Sequence, residues 1–158
     1  MNKTDLNKEF MPIAIDVQDK TILLIGGGRI AMHKIKSLQQ YRTSIRVVAT
    51  EVIGEIKSRG IHSTEKPYEK SDLRGSFLVY ACTNIKSLNE QVYHDCREMG
   101  ILVNVVDNPP LCDFVSPAIY KQDYISVAVT SNARSVFKSI EVRNRIKNFL
   151  ENDYTLQL

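Results

Sequence analysis

The chain has 158 residues, 43% of them hydrophobic and 25% charged, with a net charge of +3. These values suit one globular domain with a short appendage and argue against a disordered chain. The small positive balance does not by itself point to nucleic acid. No cysteine–histidine spacing resembles a zinc site, and no apolar run approaches the roughly 20 residues that span a bilayer.

The first ten residues are polar and carry no apolar signal-peptide core, so they read as a frayed lead-in to a cytoplasmic protein. Residues 11–17 predict a short edge strand with its proline near the start. The unbroken run Thr21-Ile-Leu-Leu-Ile25 predicts a strand buried on both faces of a parallel sheet. Gly26-Gly27-Gly28 ends it, and Ala31, Ile35 and Leu38 then share one helical face over 29–40. A second strand at 45–48, a short helix at 52–59 stopped by Gly60, and a weak third strand at 61–65 follow. Ser71-Asp72-Leu73 begins a helical turn. Residues 77–81 predict a strand, and 87–99 a helix with Leu88, Val92, Cys96 and Met99 in one stripe before Gly100. A strand at 102–106 is broken by Asn108-Pro109-Pro110. Beyond it, 114–120 and 124–130 read as strands about Lys121-Gln122-Asp123, 135–150 as a basic amphipathic helix, and the last eight residues as a frayed tail.

Alternating strand and helix imply an α/β fold: a Rossmann-type parallel sheet with helices on both faces and right-handed crossovers. A small β-hairpin and helix follow it. The boundaries read as 11–112 for the sheet domain and 113–150 for the hairpin and helix, with tails at 1–10 and 151–158. Cys82, Cys96 and Cys112 have no C-x-x-C spacing and read as reduced, buried, small hydrophobes. His33, His62 and His94 form no ligand motif, so no metal site is expected.

Gly26-Gly27-Gly28-Arg29-Ile30-Ala31 fits G-x-G-x-x-A directly between a strand and a helix. Gly26 lets the chain turn tightly, and Gly28 lets the backbone approach a pyrophosphate. The N–H groups at the helix start would then hold the phosphate charge. The structural alternative is a tight strand–helix turn with no ligand. The acid for a ribose hydroxyl belongs about 20 residues on. Glu51 stands there, slightly late, and serves equally as an acid beside a helix N-terminus. Arg46 lies before the strand's end, so NAD is expected over NADP. Asp107 in Asn104-Val105-Val106-Asp107 falls at the carboxyl end of a strand, where open α/β sheets bind ligands. It serves equally as an Asx-type turn residue before Asn108-Pro109.

Taken together, these motifs resemble the precorrin-2 dehydrogenase and ferrochelatase family of siroheme synthesis. The matching stretches are Pro12-Ile13, the glycine loop, Val47-Val48-Ala49, Ala81-Cys82-Thr83-Asn84 with Asn89, and Asn104-Val105-Val106-Asp107. Phe114-Val115-Ser116-Pro117-Ala118 and the strand from Ile125 to Ser131 complete them. The resemblance implies NAD-dependent oxidation of precorrin-2 to sirohydrochlorin; some members also insert iron or cobalt. It implies that Asp107 is the essential aspartate and that Ser131 lines the substrate pocket. It also implies that Arg29, Ile30, Thr50 and Glu51 contact the dinucleotide, with Thr83 near the nicotinamide side of the cleft. It makes 11–112 the NAD-binding domain and 113–150 the region for substrate and homodimer contacts.

Two departures stand out. Asn132-Ala133 replaces a pair of glycines common after the pocket serine, which implies a stiffer loop. The sequence also ends at Leu158 without the further helical domain of many relatives, which leaves metal insertion open. Precorrin-2 is a polycarboxylate, so cations are needed. Arg134 and Lys138, spaced i, i+4, are the candidates to share a helix face toward it. The basic residues at 143–147 read instead as a solvated face. Asp107 is expected to take a proton or to orient the macrocycle while the nicotinamide takes a hydride. Neither nucleic acid nor membrane is an expected partner. The main rival reading is a non-catalytic dinucleotide-sensing regulatory domain, which would keep the glycine loop without needing Asp107; a second is a chelatase that has lost dehydrogenation, against which the intact glycine loop argues.

Overall fold

The computed structural model describes residues 8–152. Its organising strand is β1 (Thr21–Gly27), in which Ile22, Leu23, Leu24 and Ile25 are each at most 1% exposed. Burial of that kind contributes roughly 1.5–3 kcal/mol per side chain. It needs a neighbour on each edge and a layer on each face. β2 (Ser44–Val52) and β4 (Ser76–Ala81) supply the edges, both parallel to β1. β3 (His62–Glu65) extends the sheet beyond β2, and β5 (Leu102–Val105) extends it beyond β4. The spatial order is β3-β2-β1-β4-β5, all parallel.

The faces follow from strand alternation. Ile22, Leu24, Val47, Leu78 and Tyr80 pack with Ala31, Met32 and Ile35 of α1 (Arg29–Leu38) and with Ile56 of α2 (Gly54–Lys57). The opposite-facing side chains include Leu23, Ile25 and Val79. α3 (Lys86–Met99) packs on β4 and β5 with Val92 and Cys96 fully buried. The chain runs outward from β1 to β3, then returns to β4 and β5. The order therefore reverses between β1 and β4, and their carboxyl ends define the crevice where such sheets bind ligands.

Residues 15–114 form this unit; 8–14 with 115–152 form a second. In the second, β6 (Ala118–Gln122) and β7 (Ile125–Val129) pair antiparallel, and α4 (Val136–Asn152) packs on both. No helix among the described residues is long and apolar enough to cross a membrane.

Several expectations need correction. Residues 11–17 form no strand: Met11 and Ile13 are 78% and 67% exposed, and the segment divides between the two units after Ala14. β2 runs on to Val52 and shortens the following helix to Gly54–Lys57, because Val52 pairs with Gly27 and donates its N–H to Glu65 at 3.0 Å. Residues 114–117 are not extended ladder, since Pro117 has no N–H to contribute. Lys121 and Gln122 belong to β6, and the tight turn is Asp123-Tyr124, with Asp123 at φ 48°. Of the lead-in, 1–7 lie outside the described residues, whereas 8–10 are held by Asn132. Of the tail, Glu151 and Asn152 are helical, and 153–158 lie outside the described residues.

Candidate functional site

The glycine loop is sterically over-determined at two positions and open at the third. Gly26 has φ 118°, and a Cβ there would stand 2.7 Å from the Cys82 carbonyl oxygen. A Cβ on Gly27 would meet the Glu51 carbonyl oxygen at 2.4 Å. Gly28 is different: nothing lies within 4 Å of where its Cβ would be. It precedes α1, whose first turn has neither a side-chain cap nor an acidic residue. The first N–H groups of α1 are thus left for an anion. Beside them, Arg29 is exposed and Ile30 is 41% exposed, while Ala31 is fully buried where helix meets sheet.

The end of β2 runs against this loop, with Ile53 N–H donating to the Gly27 carbonyl at 3.0 Å. Thr50 and Glu51 are exposed there. Glu51 lies in β2, three residues before α2. Arg46 is directed elsewhere: its guanidinium donates to the carbonyl of Asp72 and to Ser76 Oγ.

Thr83 follows β4. Its hydroxyl lies 2.7 Å from Asn89 Oδ1 and 3.1 Å from the Ile85 carbonyl, and it accepts from the Ile85 N–H at 3.1 Å. Asn89 also donates to the Thr83 carbonyl at 3.0 Å and accepts the Thr83 N–H at 3.1 Å. The single hydroxyl proton is therefore engaged internally, and what Thr83 offers a ligand is one lone pair and a fixed backbone.

Asp107 is exposed in a turn just past β5, with φ 60°. The turn is closed by Asn108 N–H donating to the Val105 carbonyl at 3.1 Å. Among the described residues its carboxylate makes no hydrogen bond or ion pair. It is a turn residue without the Asx hydrogen bond, and both carboxylate oxygens remain available. Val106 N–H donates to the Ala81 carbonyl at 3.0 Å, which ties this turn to the end of β4.

Ser131, Arg134 and Lys138 belong to the second unit. Ser131 Oγ donates to the Ser135 carbonyl at 2.8 Å and accepts the Ser135 N–H at 3.0 Å, a local cap ahead of α4. Arg134 stands in the bend before α4 and Lys138 in its first turn, so the shared helix face is not formed. Both are exposed. A shallow cavity of about 440 Å³ is lined by Glu9, Phe10, Thr130, Ser131, Asn132 and Arg134. Arg145 and Lys147 make exposed i, i+4 pairs with Glu141 and Glu151, as a solvated face would. Arg143 does not: it donates to the Ile119 carbonyl at 2.8 Å and ties α4 to the hairpin.

The sequence profile of a family described as "Putative NAD(P)-binding" matches residues 13–118. The chain belongs to that family. Its curated relatives include the siroheme synthase of Nitrosococcus oceani, 32% identical over 150 residues, which are 92% of this chain and 32% of that protein. The siroheme synthase of Methylococcus capsulatus is 35% identical over 143 residues, 88% of this chain and 30% of that protein. The chain thus spans about a third of the length of these relatives. A solved structure, "SirC, precorrin-2 dehydrogenase", shares the fold with a TM-score of 0.76 at 23% identity, covering 88% of this chain and 70% of that one.

In this NAD(P)-binding chain, sequence reasoning passes over Lys34. It flanks the apolar arc of α1 set by Ala31, Ile35 and Leu38, at i+3 from Ala31, which is the signal that would have found it. The ammonium stands 5.2 Å from the Tyr80 ring centroid. Burial lowers its pKa, and the neighbouring Cys82, Cys112 and Asp107 partly restore it. Burial likewise pushes the Cys82 thiol up to about 12, against the opposing influence of Lys34. Asn89, quoted only as part of a motif, proves to be the side chain that fixes Thr83. The described residues contain no cluster of three or more His, Cys, Asp or Glu able to hold a metal ion.

Proposed function

We propose that this chain is an NAD-dependent dehydrogenase that oxidises precorrin-2 to sirohydrochlorin in siroheme synthesis. The observation that carries the reading is the pairing of an open, uncapped glycine loop with an exposed Asp107 carboxylate, both at the carboxyl ends of one parallel sheet. Siroheme synthases are the similar curated proteins, and a precorrin-2 dehydrogenase has the similar fold.

Gly26, Gly28, Arg29 and Ile30 would hold the dinucleotide at the start of α1, with Thr50 and Glu51 toward the ribose and Thr83 toward the nicotinamide. The clear space beyond Gly28 suits a pyrophosphate approaching the backbone. The absence of a free arginine at the end of β2 favours NAD over NADP. The bound nicotinamide supplies the hydride acceptor. Asp107 accepts the proton released with the hydride, or orients the pyrrole N–H groups so that water takes it. Ser131, Arg134 and Lys138 contribute polar and cationic contacts for the substrate's carboxylates; Ser131 does so through its remaining lone pair. Residues 15–114 act as the dinucleotide domain, and the hairpin with α4 as the region of substrate and homodimer contact. The protein works in the cytoplasm, without nucleic acid or membrane as a partner.

The test mixes purified protein, NAD and precorrin-2 without oxygen and follows NADH together with the sirohydrochlorin spectrum. NADH and product should rise together and vanish in Asp107→Ala, which should still bind NAD. Binding of NAD with no turnover would sink the dehydrogenase reading and leave a dinucleotide sensor.

A further inference from the structure

Asp107 holds a left-handed backbone conformation, with φ 60°, which residues other than glycine adopt at a cost, aspartate less than most. Such a conformation persists only where its surroundings over-determine it. The surroundings here form a closed loop. At its base Asp113 N–H donates to the Val103 carbonyl at 2.8 Å, and Val103 N–H donates to Asp113 Oδ2 at 3.1 Å. Arg97 donates to the other Asp113 oxygen at 3.0 Å.

Inside the loop sits the Cys112 thiol, only 2% exposed. Its sulfur accepts the Val105 N–H at 3.2 Å and faces the carbonyls of Val105 at 3.2 Å and Asn108 at 3.4 Å. Val105 and Asn108 are the two residues that bracket the Asp107 turn. The buried Asn104 amide donates to the same sulfur at 3.4 Å and to the Phe114 carbonyl at 2.9 Å. One side chain therefore touches both ends of the turn, while the Asp107 side chain itself anchors nothing. The distances are ordinary for sulfur but long for a hydroxyl, which prefers about 2.7–2.8 Å. An oxygen at this place could not serve both ends without moving the loop.

We propose that Cys112, seated by Asn104, is a positioning residue whose thiol clamps the Val105–Asn108 turn and thereby sets the place of the Asp107 carboxylate. The proposal rests on the reading of Asp107 as the group that handles the substrate proton. The clamp acts through backbone geometry; the thiol takes no part in electron transfer and touches neither substrate nor cofactor.

The experiment compares Cys112→Ala, Cys112→Ser and, as a control, Cys96→Ala. Cys96 is fully buried on α3 near Asp113, at the base of the loop but outside the Val105–Asn108 turn. Each variant is assayed for kcat and for KM toward NAD and precorrin-2, and for amide hydrogen exchange at Val105 and Asn108. Cys112→Ala should lose ten-fold or more in kcat with KM for NAD within two-fold, and should speed exchange at both amides ten-fold or more. Cys112→Ser should fall between it and the parent, because polarity is kept and reach is not. Cys96→Ala should lower the thermal midpoint while leaving kcat per folded molecule and both amides unchanged. A Cys112→Ala kcat within two-fold of the parent would overturn the proposal, as would an equal kcat loss in Cys96→Ala. If the parent protein turns over no precorrin-2, the dehydrogenase reading fails by itself. Exchange then decides the clamp: faster at Val105 and Asn108 in Cys112→Ala upholds it, unchanged overturns it.

Discussion

At the scale of single residues, neighbouring glycines do different work, and substitution separates them. The space beside Gly27 is filled by backbone of Glu51 and Val52, which cannot swing aside. Gly27→Ala should therefore push β2 away from the loop and lower the thermal midpoint by several degrees or prevent folding. Gly28→Ala meets nothing in the protein. It should fold with the parent's midpoint but bind NADH ten-fold or more weakly, since the methyl group occupies the approach to the α1 amides. Fluorescence titration with NADH and a melting curve on both variants check the contrast; equal NADH affinity in Gly28→Ala would remove the loop from the cofactor site. Lys34 gives a pH signature. Its folded pKa lies below the ordinary 10.5 because burial disfavours the charge. Between that lowered value and 10.5 the unfolded chain binds a proton that the folded chain does not, so stability rises with pH across this window. Lys34→Met, of similar length and uncharged, should melt higher than the parent at pH 7, and the gap should close as the pH approaches 10.5. Melting curves from pH 7 to 10.5 test this. The geometry of the glycine loop and of the turn at Asp107 is legible in the sequence because both are local patterns. Lys34 and Cys112 escape because their roles come from contacts with β4 and the 105–108 turn, far from them or unmarked by any spacing.

At the scale of elements, periodicity reads the sheet well because β1 is buried on both faces and α3 carries a clear stripe. It fails over 11–17, where alternating Ile13, Ile15 and Val17 mimic a strand although no neighbouring strand offers a ladder. Pattern alone cannot tell an extended segment from a paired one. The bend after β7 is the other place where local reading falls short. Asn132 and Ala133 both have positive φ, at 52° and 58°, where glycine would carry no strain. Asn132 compensates by accepting the Phe10 N–H at 2.6 Å and donating to the Lys8 carbonyl at 3.1 Å. The Asn132 side chain thus fastens residues 8–10 to the bend. Asn132→Gly should release this segment, seen as faster amide exchange at Phe10 and earlier cleavage there by a dilute protease. Ala133→Gly relieves one left-handed residue without touching those bonds, so it should leave the Phe10 amide as protected as in the parent. Release in both variants alike would mean that backbone stiffness, rather than the Asn132 side chain, holds the segment.

At the scale of the whole molecule, the open question is what covers the hairpin and α4. Val136 and Phe137 are 69% and 87% exposed at the start of α4, with Ile140 one turn on, and Tyr124 at the hairpin tip is 81% exposed. Monomeric proteins rarely leave large apolar patches open, and a stable homodimer needs roughly 1,000 Å² or more of buried surface. The homodimer proposed above would set a second copy of this chain along α4 and the hairpin. Phe137→Glu places a charge in the middle of that surface, where pairing would bury it without a partner. The expected outcome is a halving of the molar mass measured by light scattering at micromolar concentration, with α4 helicity unchanged by circular dichroism. NADH affinity should survive, because the glycine loop belongs to residues 15–114, which have their own core. Turnover of precorrin-2 then separates two roles for the pairing. Activity lost along with the dimer means that the tetrapyrrole needs surfaces from both copies, and activity retained means that each chain holds a complete site. A parent protein already monomeric at this concentration would remove the homodimer and leave the apolar start of α4 to another partner.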